Sequence, residues 1–272
     1  MKRTLLIAAL QLLAFWEVWW WYATRSIYSW DQPWGVLALI AALVFVLTSK
    51  KPLPQKDPSL LLPATLIVIY LATYHIFPPL ARATIAFTAV AVTTSSLRFG
   101  KSFHPGLLGL FYLSLPTLPS LQFFGGYPLR VVVAQLSAPI LRLGGFAVIP
   151  EGTCLNWAGQ LIWIDAPCSG VKMLWVGLFL AFVLSCFYGL PALKTLMLAP
   201  LSFLIIIGAN VFRAIALFYI EAGVLQLPSW GHEYAGLIAF LLEALGIVSI
   251  VFMLRRGNEC VPPVSSTLLP AQ

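Results

Sequence analysis

The sequence predicts an all-α polytopic membrane protein of about eight transmembrane helices carrying a small non-cytoplasmic cap, and three observations carry that expectation. Only 9% of the 272 residues are charged, against 60% apolar; an average soluble domain has roughly 25% charged residues, so this chain cannot cover a water-facing surface. Apolar stretches recur near ~20 residues, the length that crosses ~30 Å of hydrocarbon as helix. The stretches are continuous rather than alternating, and in lipid the backbone is satisfied only in helices or closed barrels. Helices are the expected form.

Spans are expected near 4–22, 34–48, 60–77, 80–97, 104–118, 168–188, 195–220 and 233–254. The first begins Met1-Lys2-Arg3 in the manner of a secretory signal, but its apolar run continues into Trp19-Trp20-Trp21-Tyr22 with no small-residue cleavage site. Tryptophan favours the membrane interface, so this segment is read as a spanning helix. Pro33, Pro52, Pro58, Pro105 and Pro191 fall at the boundaries, where proline suits loops and helix starts. No internal repeat is visible, and the apolar density offers no boundary for a second domain. Residues 1–256 therefore read as one transmembrane unit, with 257–272 as a flexible cytoplasmic tail.

Orientation follows from the basic residues. With the N-terminus inside, the cytoplasmic segments hold Lys2, Arg3, Lys50, Lys51, Lys56, Arg98, Lys101, Lys194, Arg255 and Arg256, ten of the sixteen. Arg25, Arg82, Arg130 and Arg142 fall outside, and Lys172 and Arg213 lie within or at the edge of spans. This asymmetry obeys the positive-inside rule with both termini cytoplasmic, as in a cell (inner) membrane. It also accounts for the net charge of +7 without a nucleic-acid partner; the bilayer is the partner.

The long connection 119–167 then forms the outer cap. Tyr127 to Leu143 has helically spaced apolar residues interrupted by Arg130, Gln135 and Arg142, the pattern of an interfacial amphipathic helix. From Phe146 to Asp165, Gly152 and Asn156-Trp157-Ala158-Gly159 separate short apolar runs, the pattern of a β-hairpin. Long loops without a task are uncommon.

Three motifs fall at the outer membrane face. Ala166-Pro167-Cys168-Ser169-Gly170 opens the sixth span; proline suits a helix start, leaving Cys168 in or near a first turn, where free N–H groups lower a thiol pKa. A small buried packing cysteine is the plain alternative. Asn210-Val211-Phe212-Arg213 lies in the seventh span. An arginine there costs at least ~2.5 kcal/mol and calls for a partner or a wet cavity; Asn210 shares its face, and a structural bond between helices is the alternative role. Ser229-Trp230-Gly231-His232-Glu233 precedes the eighth span. Ser229 as N-cap puts His232 in the first turn, where the imidazole is kept neutral and able to accept a proton; an interfacial histidine bonded to a loop is the alternative. Cys154, Cys168, Cys186 and Cys260 show no CxxC spacing, and His75, His104 and His232 are scattered, so no metal or cofactor is expected.

In these elements the chain resembles the exosortase/archaeosortase family: Cys-Ser-Gly at 168–170, Asn-x-x-Arg at 210–213 and the histidine at 232, in that order in successive helices. The resemblance covers about residues 60–255. It implies a membrane cysteine protease or transpeptidase with Cys168 as nucleophile and Arg213 and His232 completing the catalytic set. Its partners would be exported proteins bearing a C-terminal sorting signal (a Pro-Glu-Pro-type motif, a spanning helix and a basic tail), and an acceptor that receives the new carboxyl end.

The chemistry of the residues agrees with that set. A thiolate is a competent nucleophile, Arg213 would stabilise it or the oxyanion, and His232 would carry the proton. Asn210, Lys172 and Asp165 are supporting residues. Lys172 either supports the anion or snorkels, and Asp165 or Glu151 either orients the histidine or holds the cap. A transporter or channel with Arg213, Asn210 and Glu17 along a substrate path is the other function class, though it lacks the repeat many transporters have; an acyltransferase using the same thiol is a third.

Overall fold

The computed structural model describes residues 2–28, 34–49, 61–164, 170–228 and 230–256. Ten helices and three strands follow in order among them: α1 (Lys2–Ala14), α2 (Trp16–Tyr28), α3 (Trp34–Thr48), α4 (Leu61–Thr73), α5 (Pro79–Phe99), α6 (Pro105–Ser114), α7 (Leu118–Leu143), β1 (Val148–Glu151), β2 (Cys154–Trp157), β3 (Gln160–Trp163), α8 (Val171–Tyr188), α9 (Ala192–Glu221) and α10 (Gly231–Arg256). Several sequence expectations fall outside the described residues: Lys50, Lys51 and Lys56, the motif residues Asp165, Pro167, Cys168 and Ser169, the N-cap Ser229, and the tail 257–272 with Cys260.

Four helices, α5, α8, α9 and α10, are individually long and apolar enough to cross a membrane. α6 and α7 together meet the same test but bend by 95° at their junction, and α3 and α4 are shorter apolar helices. Helix length and apolarity thus define four or five spans among the described residues, and the expected eight are not reached on that criterion. The junction has a local cause: Leu115 precedes Pro116, and proline disfavours helical backbone in the residue before it. Leu115 is extended, with φ −66° and ψ 146°.

The cap expectation needs two corrections. The amphipathic helix, expected over 127–143, already starts at Leu118, so the segment before Tyr127 is helix and not loop. The expected hairpin is an antiparallel meander, β1-β2-β3, in which two two-residue turns share β2. Gly152 (φ 60°) opens the first turn, and Ala158 and Gly159 (φ 52° and 84°) form the second. Positive φ at the first or at both turn positions suits the twist of two-residue hairpins.

Packing divides the helices into two groups. α1, α2, α4 and α5 gather about Phe15, Tyr70, Ala83 and Phe87. α8, α9 and α10 form an antiparallel trio: Ser185 near the end of α8 meets Thr195 near the start of α9 at 2.7 Å, and Lys194 donates to the Leu254 carbonyl near the end of α10 at 2.7 Å. α6 joins the groups, with the Trp175 indole donating to the Leu113 carbonyl at 3.1 Å. Small residues let the trio's backbones approach, as in many membrane helix pairs: the fully buried Glu243 of α10 lies against Gly177 of α8. The meander and α7 pack over the C-terminal half of α9 through Val148, Leu155, Ile162, Ala134, Leu141, Leu217 and Phe218.

Candidate functional site

The site is built on the last three turns of α9. Asn210, Arg213, Leu217 and Glu221 recur at intervals of three and four residues, so they line one helix face. That face runs from the interior of the trio to the helix end, and each level meets a different neighbour.

At the lowest level the buried Asn210 meets the start of α8. Its carboxamide nitrogen donates to the Ile206 carbonyl at 3.0 Å, and its oxygen makes no hydrogen bond with another described residue. The carboxamide packs on Gly170, where an added Cβ would lie 2.8 Å from Asn210 Cγ. Gly170 is also left-handed, with φ 74°, and is the N-cap of α8. A left-handed residue cannot continue a right-handed helix, so α8 starts at Val171 rather than at Pro167. This corrects the expected helix start: Cys168 precedes the N-cap by two residues. Gly170→Ala is expected to lower turnover about tenfold or more, because ångström-scale displacements near reacting groups cost up to about 10²-fold. Gly125→Ala, with open space around its site, should retain full turnover. Equal rates for the two variants, measured per inserted molecule, would remove this role of the Gly170–Asn210 contact.

One turn higher, the half-buried Arg213 turns toward α10. Its Nη2, Cζ and Nε lie 3.5, 3.6 and 3.6 Å from the position a Cβ on Gly236 would take. Three nearly equal distances mean that the guanidinium lays its flat face on the glycine. Gly236 is one helical turn from His232, which lies in the first turn of α10. α10 therefore brings Arg213 and His232 onto adjacent turns of one seam.

At the top, His232 Nδ1 is 3.5 Å from Glu221 Oε1, with both side chains about half exposed. The two line a cavity of about 530 Å³ together with Leu217 and all of β3, Gln160 to Trp163. The carboxylate beside the histidine is therefore Glu221, among the described residues. Glu151 accepts from the Asn156 amide at 2.7 Å and so serves the meander. Lys172 is exposed in the first turn of α8. Ile164, just after β3, is held in place: it is buried, its N–H donates to the Thr153 carbonyl at 3.0 Å, and its own carbonyl receives Arg130 Nη1 at 3.5 Å.

The remaining candidates are held elsewhere. His104 caps α6, its Nδ1 accepting from the Leu107 N–H at 3.3 Å, and His75 packs edge-on against Tyr74. Glu17 accepts from the Tyr74 hydroxyl and lies 3.7 Å from Arg82 Nη1. It thus belongs to the α2–α5 group, whereas Asn210 and Arg213 belong to the α8–α10 trio, and the three do not line one path. Cys154 and Cys186 are free, buried thiols, and no cluster suited to a metal ion occurs among the described residues. Sequence reasoning missed Glu221, Gly236 and the β3 edge. Glu221 was legible in principle, two i+4 steps beyond Arg213; a glycine that accepts a guanidinium has no signature of its own.

A helical, polytopic membrane protein with a polar seam opening into a cavity beneath a small sheet is the class these features define. The family model described as Transmembrane exosortase (Exosortase_EpsH) matches residues 19–249, and the chain belongs to that family. Membership supports, in broad terms, a membrane-bound protease or transpeptidase. No curated protein and no solved structure matches the chain.

Proposed function

We propose that this protein is a cysteine endopeptidase and transpeptidase of the cell membrane, working on its non-cytoplasmic face. It cleaves the C-terminal sorting signal, of the Pro-Glu-Pro type, from exported proteins and passes the new carboxyl end to an acceptor. The observation that carries the reading is the seam itself: Asn210 packs on Gly170, and Arg213 lies on Gly236 one turn from His232. Two peptide links join Cys168 to Gly170, so their Cα atoms lie no more than about 7.6 Å apart.

In this reading His232 takes the proton of the Cys168 thiol, and the thiolate attacks the scissile carbonyl. Arg213 holds the resulting oxyanion by charge-assisted hydrogen bonds. The tetrahedral intermediate collapses, the C–N bond breaks, and the leaving amine takes the proton back from His232. The thioester on Cys168 is then resolved by the acceptor nucleophile, again with His232 as base. Glu221 beside Nδ1 would orient the ring so that Nε2 faces the thiol. Asn210, with an acceptor not engaged by any described residue, would hold the backbone of the Cys168 segment, Lys172 would support the anion, and Asp165 would hold the cap.

The test is direct. Purified protein in detergent, incubated with an exported protein bearing a Pro-Glu-Pro signal and quenched in acid, is expected to carry a thioester on Cys168, detected by mass. Cleavage with no acyl group on that residue would overturn the thiol mechanism.

A further inference from the structure

The meander has two outer edges, and their hydrogen-bonding groups meet different fates. In each two-residue turn the flanking pair is the hydrogen-bonded one, here Glu151–Cys154 and Trp157–Gln160. Alternation along a strand then assigns every other backbone group. On β1, residues 149 and 151 bond to β2, while Val148 and Pro150 face outward. On β3, residues 160 and 162 bond to β2, while Leu161 and Trp163 face outward.

The β1 edge is closed. The Val148 N–H donates to the Phe146 carbonyl at 2.8 Å, its carbonyl receives Arg142 Nε at 2.8 Å, and Pro150 has no N–H to offer. Proline and charged side chains on an edge are the usual protection against unwanted strand pairing. β3 carries no proline and no charge, and the outward groups of Leu161 and Trp163 make no backbone bond with another described residue. This edge borders the cavity that also holds His232 and Glu221. Among the described residues one edge is guarded and the other is open toward a candidate base, an arrangement that a sheet with a merely structural task does not need.

We infer that the free edge of β3 binds the polypeptide substrate by strand addition, an extended segment pairing with Leu161 and Trp163 so that a following carbonyl enters the seam beside His232. Main-chain bonds supply the affinity in this mode, and alternate side chains supply selectivity. The inference rests on the reading above that the substrate is a polypeptide. Pairing along the edge fixes the peptide's direction and register before chemistry begins, which is what holding reacting atoms in near-attack geometry requires.

The experiment separates binding from cleavage. A photoreactive p-benzoylphenylalanine is placed at Trp163, or at Ile149 beside the closed edge, in full-length Cys168→Ser protein. The probe is a synthetic peptide spanning the sorting signal, N-methylated at one non-proline position at a time. Because a strand offers its N–H groups to one edge at every second residue, crosslinking from position 163 should weaken with a period of two, roughly two- to tenfold for each bond lost, and position 149 should not crosslink. Leu161→Pro, which removes an outward N–H without touching the β2–β3 ladder, should weaken binding by a similar factor. Crosslinking that is insensitive to methylation, or equal from both edges, overturns strand addition even if wild-type protein cleaves the peptide. Period-two crosslinking without cleavage or thioester by the wild type leaves strand addition standing and overturns the protease reading instead. Neither crosslinking nor cleavage overturns both.

Discussion

Replacing Cys168 with serine is expected to abolish processing of a sorting-signal substrate while leaving the inserted protein at its normal level. A hydroxyl has a pKa far above that of a thiol and leaves a tetrahedral intermediate far less readily. In the proposed thiol mechanism an otherwise intact site then loses its nucleophile, and losses of a nucleophile run to about 10³-fold or more. The comparison with the other cysteines gives the result its meaning. Cys186 is buried against Gly106 in the contact between α6 and α8, so serine there buries a hydroxyl and lowers the amount of folded protein rather than turnover per molecule. Cys154 is a buried thiol of β2, and the same reasoning applies. Cleavage rate and membrane-inserted protein are measured together. Retained turnover in Cys168→Ser, or an equal per-molecule loss in Cys186→Ser, would count against a thiol nucleophile at 168.

Arg213→Lys is expected to lose turnover by about 10²- to 10³-fold, the scale on which removing one oxyanion donor acts, with substrate binding largely kept. The reason is shape. A planar guanidinium lying flat on Gly236, with Nη2, Cζ and Nε all 3.5–3.6 Å from the missing Cβ, presents its donors edgewise along the seam. It can hold an anion through two parallel hydrogen bonds, while an ammonium is a point charge on a flexible stem. If the charge serves only the contact between α9 and α10, lysine keeps activity and Arg213→Ala lowers the inserted protein instead. Cleavage rate, inserted protein and substrate crosslinking, measured for both variants, decide between these. Near-normal cleavage by the lysine variant would sink the bidentate role whatever the result at Cys168.

The sequence by itself determined the medium and pointed to the family. A chain with 9% charged residues has no soluble fold open to it, because it cannot solvate its own surface. The residues able to do acid–base and nucleophilic work are so few that Cys168, Arg213 and His232 stand out at once, and their order along the chain pointed to the family whose model spans residues 19–249. Strand signals between 146 and 165 were legible too, because glycine at a tight turn is dictated by local backbone sterics.

What only the tertiary structure decided is which groups meet. Local sequence places Gly170 near a helix start, but its collision course with Asn210 depends on the antiparallel crossing of α8 and α9, forty residues apart. Gly236 reads as one more small residue in an apolar helix until α9 lays Arg213 across it. Glu221 becomes the histidine's neighbour only because α9 ends where α10 begins, with His232 Nδ1 3.5 Å away. The open edge of β3 follows from strand order, and strand order is settled by hydrogen bonds between segments. Composition and periodicity are properties of the chain alone; contacts across helices and the fate of a sheet edge are set by packing, which no single segment encodes.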